Sequence, residues 1–176
     1  MRIITGLALI LTAAIALAKQ PAPKPAPPPA PQQSSPKPTN LFMSASQIND
    51  LIAKAKSERK PNQPNVLEPI LELGGYDGHL EYRASVGNAA LHETEAEMFY
   101  VIDGSATITT GGTLVNPKRA DAANLNGSAI EGGSKRDIAK GDWILVPQNT
   151  PHWFSPINGV LVLYSMHVPG EFTPKK

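Results

Sequence analysis

A chain of 176 residues with 16 Lys and Arg against 15 Asp and Glu carries a formal charge of +1. The two signs are interspersed without a basic stripe, which excludes the electrostatic footprint of a nucleic-acid binder. The absence of cysteine excludes a disulfide framework, a lipid-modified N-terminal Cys and a thiol nucleophile.

In chain order, Arg2 is followed by an apolar run from Ile3 to Ala18 that closes on the small-x-small site Ala16-Leu17-Ala18. This pattern reads as a cleavable export signal over residues 1–18, and the run is shorter than the ~20 residues that span a bilayer. The mature chain is then periplasmic or secreted, without stable membrane insertion. Residues 19–40 hold nine of the eighteen prolines, interleaved with Ala, Lys, Gln and Ser. Such a segment buries no apolar surface and favours extended polyproline conformation, so it reads as a semi-rigid linker. Residues 41–176 have the size of one domain.

Ser44-Ala45-Ser46-Gln47 has capping-box spacing, with Met43 and Ile48 placed as a hydrophobic staple, and predicts a helix over 44–60 that stops before Pro61. Ile48, Leu51, Ile52 and Ala55 give that helix one apolar stripe. From Val66 the pattern changes to short alternating or apolar runs between turn residues, which predicts an all-β domain over 66–168. The expected strands are 66–73, 79–85, 89–93, 98–102, 105–110, 134–138, 143–146, 152–155 and 160–168. Turns are expected at Gly74-Gly75, Asp77-Gly78, Asp103-Gly104, Gly111-Gly112, Gly132-Gly133 and Asn158-Gly159. Residues 116–128 interrupt the strand rhythm and read as a surface excursion. Were it to fold over the barrel mouth, Lys118 and Arg119 would meet an anionic substrate.

Two segments carry the chemistry. The first runs from His92 through Glu97 to Gly104, and the second from Gly141 through Pro147 to His152. Their order and spacing resemble the two motifs of the cupin family. In the first motif, H-x-H, three or four residues, E, six residues, G, His92 takes the place of the second histidine, and Glu97 and Gly104 fit. In the second motif, G, five residues, P-x-G-x-x-H, Gly141, Pro147 and His152 fit. Two positions depart. Ala90 stands where the first histidine would be, and Asn149 replaces a glycine, a change that Asn tolerates because it enters the left-handed region more readily than most residues. The resemblance implies a cupin (jelly-roll-like) β-barrel, a homodimer, and a metal held by His92, Glu97 and His152. The edge strand at 66–73 and the helix are the expected dimer contact.

Two neutral imidazoles and one carboxylate suit a borderline divalent ion, with Fe, Mn, Ni, Cu and Zn all admissible. The resemblance implies dioxygenation, decarboxylation, isomerisation or lyase chemistry on a small oxygenated molecule, and the two-His, one-carboxylate set favours a dioxygenase-like reaction. The alternative is a binding module for a sugar or small acid without metal, in which the three residues are hydrogen-bonded remnants. No general base or catalytic residue beyond this set stands out. Glu93 and Glu95 read as solvated loop carboxylates. His79 reads as part of an outward polar face with Glu81 and Arg83, and His167 as a satisfied structural histidine. Trp143, Trp153, Phe99, Phe154 and Tyr100 read as core aromatics. Sequencing the N-terminus of exported protein should return Lys19; an intact Met1 would overturn signal cleavage.

Overall fold

The computed structural model describes residues 41–73 and 76–170. The expected export signal, the linker and the Gly74-Gly75 turn lie outside them. The helix, α1, spans Ala45–Glu58. Ser44 caps it by accepting from the Gln47 amide, while Gln47 Oε1 accepts from the Ser44 amide at 2.9 Å, so both halves of the capping box are made. Met43 and Ile48 both pack on the cluster beneath the helix.

Thirteen strands follow: β1 Asn65–Leu73, β2 Tyr76–Arg83, β3 Ala89–His92, β4 Glu95–Asp103, β5 Ser105–Thr110, β6 Thr113–Val115, β7 Lys118–Arg119, β8 Asn124–Gly127, β9 Ala129–Glu131, β10 Ser134–Ala139, β11 Trp143–Val146, β12 His152–Ile157 and β13 Leu161–Pro169. They form one five-stranded sheet ordered β1-β2-β13-β4-β11, one six-stranded sheet ordered β10-β5-β12-β3-β8-β7, and the small pair β6-β9. Every pairing is antiparallel. This is the expected all-β, cupin-like architecture, built as two facing sheets whose hydrogen-bond ladders do not join into a closed barrel.

Strand alternation assigns the faces. Between the sheets, Phe99, Val101, Val146, Leu161 and Leu163 of the first pack against Ala106, Ile108, Ile138 and Phe154 of the second. The opposite face of the first sheet presents Ile70, Leu80, Tyr82 and Val162 to α1, where Ala55 is fully buried. Lys54 fastens the helix by donating to both oxygens of Glu68, at 2.7 and 2.8 Å. The first sheet is therefore covered on both faces, which decides where its polar residues go.

Several elements depart from the sequence reading. Residues 116–128 are not a bare excursion: β8 pairs with β3 in register from Ala89↔Gly127 to His92↔Asn124, and β7 adds outside it. Asn-rich strands lack an apolar alternation, so nothing in composition marks them. Asp77-Gly78 lies inside β2 and not in a turn. A side chain at Gly78 would meet the Tyr164 hydroxyl at 2.6 Å, so that glycine serves close packing. Trp143 is 63% exposed on the edge strand β11, because Val146 takes the inner face and Trp143 stacks outside on Tyr100.

Gly104 joins β4 to β5 at φ +84°, and a Cβ there would overlap the carbonyl of Val160. Gly104→Ala should therefore destabilise the domain by at least ~1 kcal/mol, since both backbone strain and the clash act in the folded state. Urea denaturation checks this, and an unchanged midpoint would count against the clash.

Candidate metal centre

Three strands change character in the same direction along their inward faces. On β4 the order is Val101, Phe99, Glu97; on β13 it is Leu161, Leu163, Ser165, His167; on β12 it is Phe154, His152. The apolar core thus ends at one level, and a polar cavity of ≈ 220 Å³ lies above it. His92 enters from the end of β3 in the opposite sheet. His92 and Glu97 are therefore neither on one strand nor on paired neighbours. The short Glu93-Thr94 link carries the chain from one sheet to the other, so the two side chains meet across the interior.

Glu97 Oε2 lies 3.1 Å from His92 Nε2 and 3.1 Å from His152 Nε2. Ligand atoms of the three residues all fall within 4.8 Å of one another, close enough for one metal ion to touch all three. Glu97 and His152 are 4% and 3% exposed. Each imidazole turns its other nitrogen to an oxygen acceptor. His92 Nδ1 is 2.6 Å from Asn124 Oδ1, and His152 Nδ1 is 3.5 Å from the Thr150 carbonyl. This is how metal-binding histidines are oriented, with Nδ1–H donated outward and the Nε2 lone pair aimed at the ion. The backbone braces the pair, because Asn149 adopts the expected left-handed conformation at φ +56° and its amide donates to the His92 carbonyl at 2.6 Å.

Electrostatics follow from this packing. Burial pushes the Glu97 carboxyl up, but hydrogen bonds from His152 and His92, and the nearby charges of His152 and His167, outweigh it and hold the group well below the usual carboxylate range. Burial disfavours a charged His92, yet its bonds to Glu97 and Asn124 and the pull of the Glu97 and Glu95 charges raise its pKa.

All four histidines of the chain line this cavity. His79 faces inward with Glu81 and Arg83, contrary to the outward reading, because α1 claims Leu80 and Tyr82 for the other face of β2. Arg83 donates to Glu81 Oε2 at 2.6 Å and lies 4.7 Å over the Phe154 ring. His167 stands opposite Glu97 in register, its Nε2 3.6 Å from Glu97 Oε1 and its ring edge-on to His92. Its Nδ1 is 3.2 Å from Glu95 Oε2, outside hydrogen-bond geometry, so it is not the satisfied structural histidine expected. Glu95 opens β4 and is no loop residue. Glu93 is held by the Arg119 guanidinium at 2.8 and 2.9 Å. Lys118 borders a different, polar groove. Ala90 pairs with His152 and contributes only a methyl to the cavity wall. The alternation on β2 and β13 was the available signal for His79 and His167, once the face turned inward is known.

No protein-family model matches the sequence, and no curated relative does. Among solved structures the chain is similar to hydroquinone 1,2-dioxygenase PnpCD in complex with Cd²⁺ and 4-hydroxybenzonitrile, at 17% identity over 71% of this chain and 75% of that one, TM-score 0.49. It is also similar to the hydroxypropylphosphonic acid epoxidase from S. wedmorenis, at 11% identity over 60% and 51% of the two chains, TM-score 0.46. An iron(II) structure of HppE matches at 11% identity over 62% and 54%, TM-score 0.47. The chain spans about half the length of these last two. Similarity at this level carries no chemical role across. The cupin-like description rests on the chain's own two-sheet architecture and its inward His92, Glu97 and His152.

Two opposite pH dependences follow for metal-free protein. The depressed Glu97 group contributes stability that is present above ~4.3, the unfolded value, and is lost as pH falls further. The raised His92 group contributes stability that is present below ~6.5 and is lost as pH rises through its folded value. The urea midpoint should therefore be highest between these limits. Glu97→Gln should flatten both slopes, and slopes unchanged in that variant would overturn the assignment.

Proposed function

We propose that this chain is an exported, metal-dependent enzyme of cupin type, in which His92, Glu97 and His152 hold a divalent ion beside a small oxygenated substrate. The observation that supports it is the convergence of two imidazole Nε2 atoms on one buried carboxylate oxygen at 3.1 Å each. With both Nδ1 atoms turned to acceptors, only a proton or a cation relieves the repulsion between those lone pairs and the carboxylate. A cation has three ligands waiting, and two imidazoles with one carboxylate is a set that suits Fe, Mn, Ni, Cu or Zn.

Such an ion supplies Lewis acidity and, if iron, dioxygen chemistry, and the ligand set favours a dioxygenase-like reaction. The chain's own groups do the rest. The two sheets exclude bulk water from Glu97, while His79, Ser165 and His167 line the cavity with hydrogen-bonding groups. Arg83 and Glu81 neutralise each other on the same wall. A volume of ≈ 220 Å³ lies below the ~300 to 1,000 Å³ of drug-sized sites, so the substrate is small. A homodimer is proposed along β1, where Leu67 and Leu73 are 58% and 37% exposed on an edge strand and Tyr76, at the start of the adjoining β2, is 48% exposed. Export rests on the sequence of residues 1–18 alone.

A second reading, capture of a sugar or small acid without metal, is favoured by Ala90, which leaves the centre with three ligands. Metal analysis separates the two. Protein purified without chelator should carry close to one equivalent of divalent metal, and His152→Ala and Glu97→Ala should lose it while far-UV circular dichroism stays near wild type. Wild-type protein that cannot be loaded with Fe(II), Mn(II), Ni(II) or Zn(II) would sink the metal reading in favour of the second.

A further inference from the structure

The hydrogen bond between His92 and Asn124 has a direction, and the direction originates one residue further out. An Asn amide presents a donor end and an acceptor end. Asn124 Nδ2 lies 2.9 and 2.8 Å from the two oxygens of Asp121, which accept and cannot donate when ionised. The amide oxygen must then face His92, so a ring hydrogen sits on Nδ1, and Nε2 faces Glu97, where it carries either a second hydrogen or a bound cation.

The segment that carries Asp121 is itself held down at the His92 end of β3. The Ala123 amide donates to Asp121 Oδ1 at 2.9 Å, and the Glu93 amide donates to the Ala123 carbonyl at 2.8 Å. Arg119 reaches the Ala122 carbonyl at 3.0 Å while its fork grips Glu93. Pairing of β8 with β3 places Asn124 directly opposite His92.

We propose that Asp121 and Asn124 are positioning residues that set the tautomer and ring orientation of His92, and that the β7–β8 arm exists to present them. The inference rests on the metal-centre reading, but its direct object is the ring of His92. A carboxylate behind an amide behind an imidazole is an outer-shell relay, and losing such partners lowers metal affinity by about 10- to 100-fold in general.

The test uses the full chain and zinc(II) alone, with affinity measured by chelator competition and cobalt(II) visible absorption as the spectroscopic signature. Asn124→Ala should weaken zinc binding by about 10- to 100-fold and alter the cobalt spectrum, with the fold intact by circular dichroism. Asp121→Asn should also weaken it, because the Asn124 amide is then free to turn over. Asn124→Asp alone sets two carboxylates face to face and should weaken it too. The reciprocal double variant, Asn124→Asp with Asp121→Asn, restores the order of donor and acceptor and should recover most of the loss. Variants that bind zinc like wild type, or a folded double variant no better than its singles, would overturn the proposal. If wild-type protein takes up neither zinc nor cobalt, the metal reading fails, and the positioning role is judged on the metal-free chain. There, the His92 Nδ1–H should be seen by ¹H–¹⁵N correlation as hydrogen-bonded and slow to exchange in wild type and should lose that protection in Asp121→Asn, and identical behaviour of the two would overturn it.

Discussion

One oxygen atom organises the open end of this protein. Glu97 Oε2 sits inside a two-sheet domain, nearly sealed from water, with two imidazole nitrogens at 3.1 Å. A buried carboxylate without compensation carries a large desolvation cost, so its surroundings have to offset that cost or the strand would not hold it there. The compensation comes from three places distant in sequence: the end of β3, the start of β12 and the last strand, β13. Only β13 arrives by pairing with β4; His92 and His152 reach Glu97 from the opposite sheet, so the charge is met by side chains that the packing of the two sheets brings together.

The rest of the domain is arranged to make that position tolerable. Below Glu97 the inner faces of β4, β12 and β13 are apolar, with Phe99 and Val101 fully buried, and this plug fixes β4 in register against β11 and β13. A one-residue slip of β4 would send Glu97 to the outer face and a core residue into the cavity. Helix α1 matters for the same reason at one remove. By covering the outer face of β1, β2 and β13 it draws Leu80, Tyr82 and Val162 outward, which leaves His79, Glu81 and Ser165 nowhere to go but inward.

The helix was legible in the sequence almost to its ends, since the capping box is a local interaction between residues three apart. So were most of the strands, and the grouping of His92, Glu97 and His152, because the spacing from His92 to Glu97 to Gly104 reflects strand length and a glycine-only turn. His79 and His167 were misassigned for a definite reason. Period-two alternation says which residues share a face, but not which face is inside, and here both faces of the sheet are covered. Asn124 was missed because β8 has no alternation to detect; its place is dictated by pairing with β3. Trp143 was misplaced by the assumption that a large aromatic ring belongs inside, whereas on an edge strand it stacks outward on Tyr100.

The level at which the core ends has a mechanical side. Beneath it the two sheets are glued by interlocking side chains, while above it they are separated by a polar hollow with little apolar contact to hold them together. His92 and His152 belong to one sheet and Glu97 to the other. A cation shared among them would be a rivet through the mouth of the sandwich, set where packing is weakest and joining the two sheets. By mass action, binding to the folded state alone raises stability with the concentration of free ion. The opening between the sheets would then be governed by the ion supply of the compartment as much as by the polypeptide.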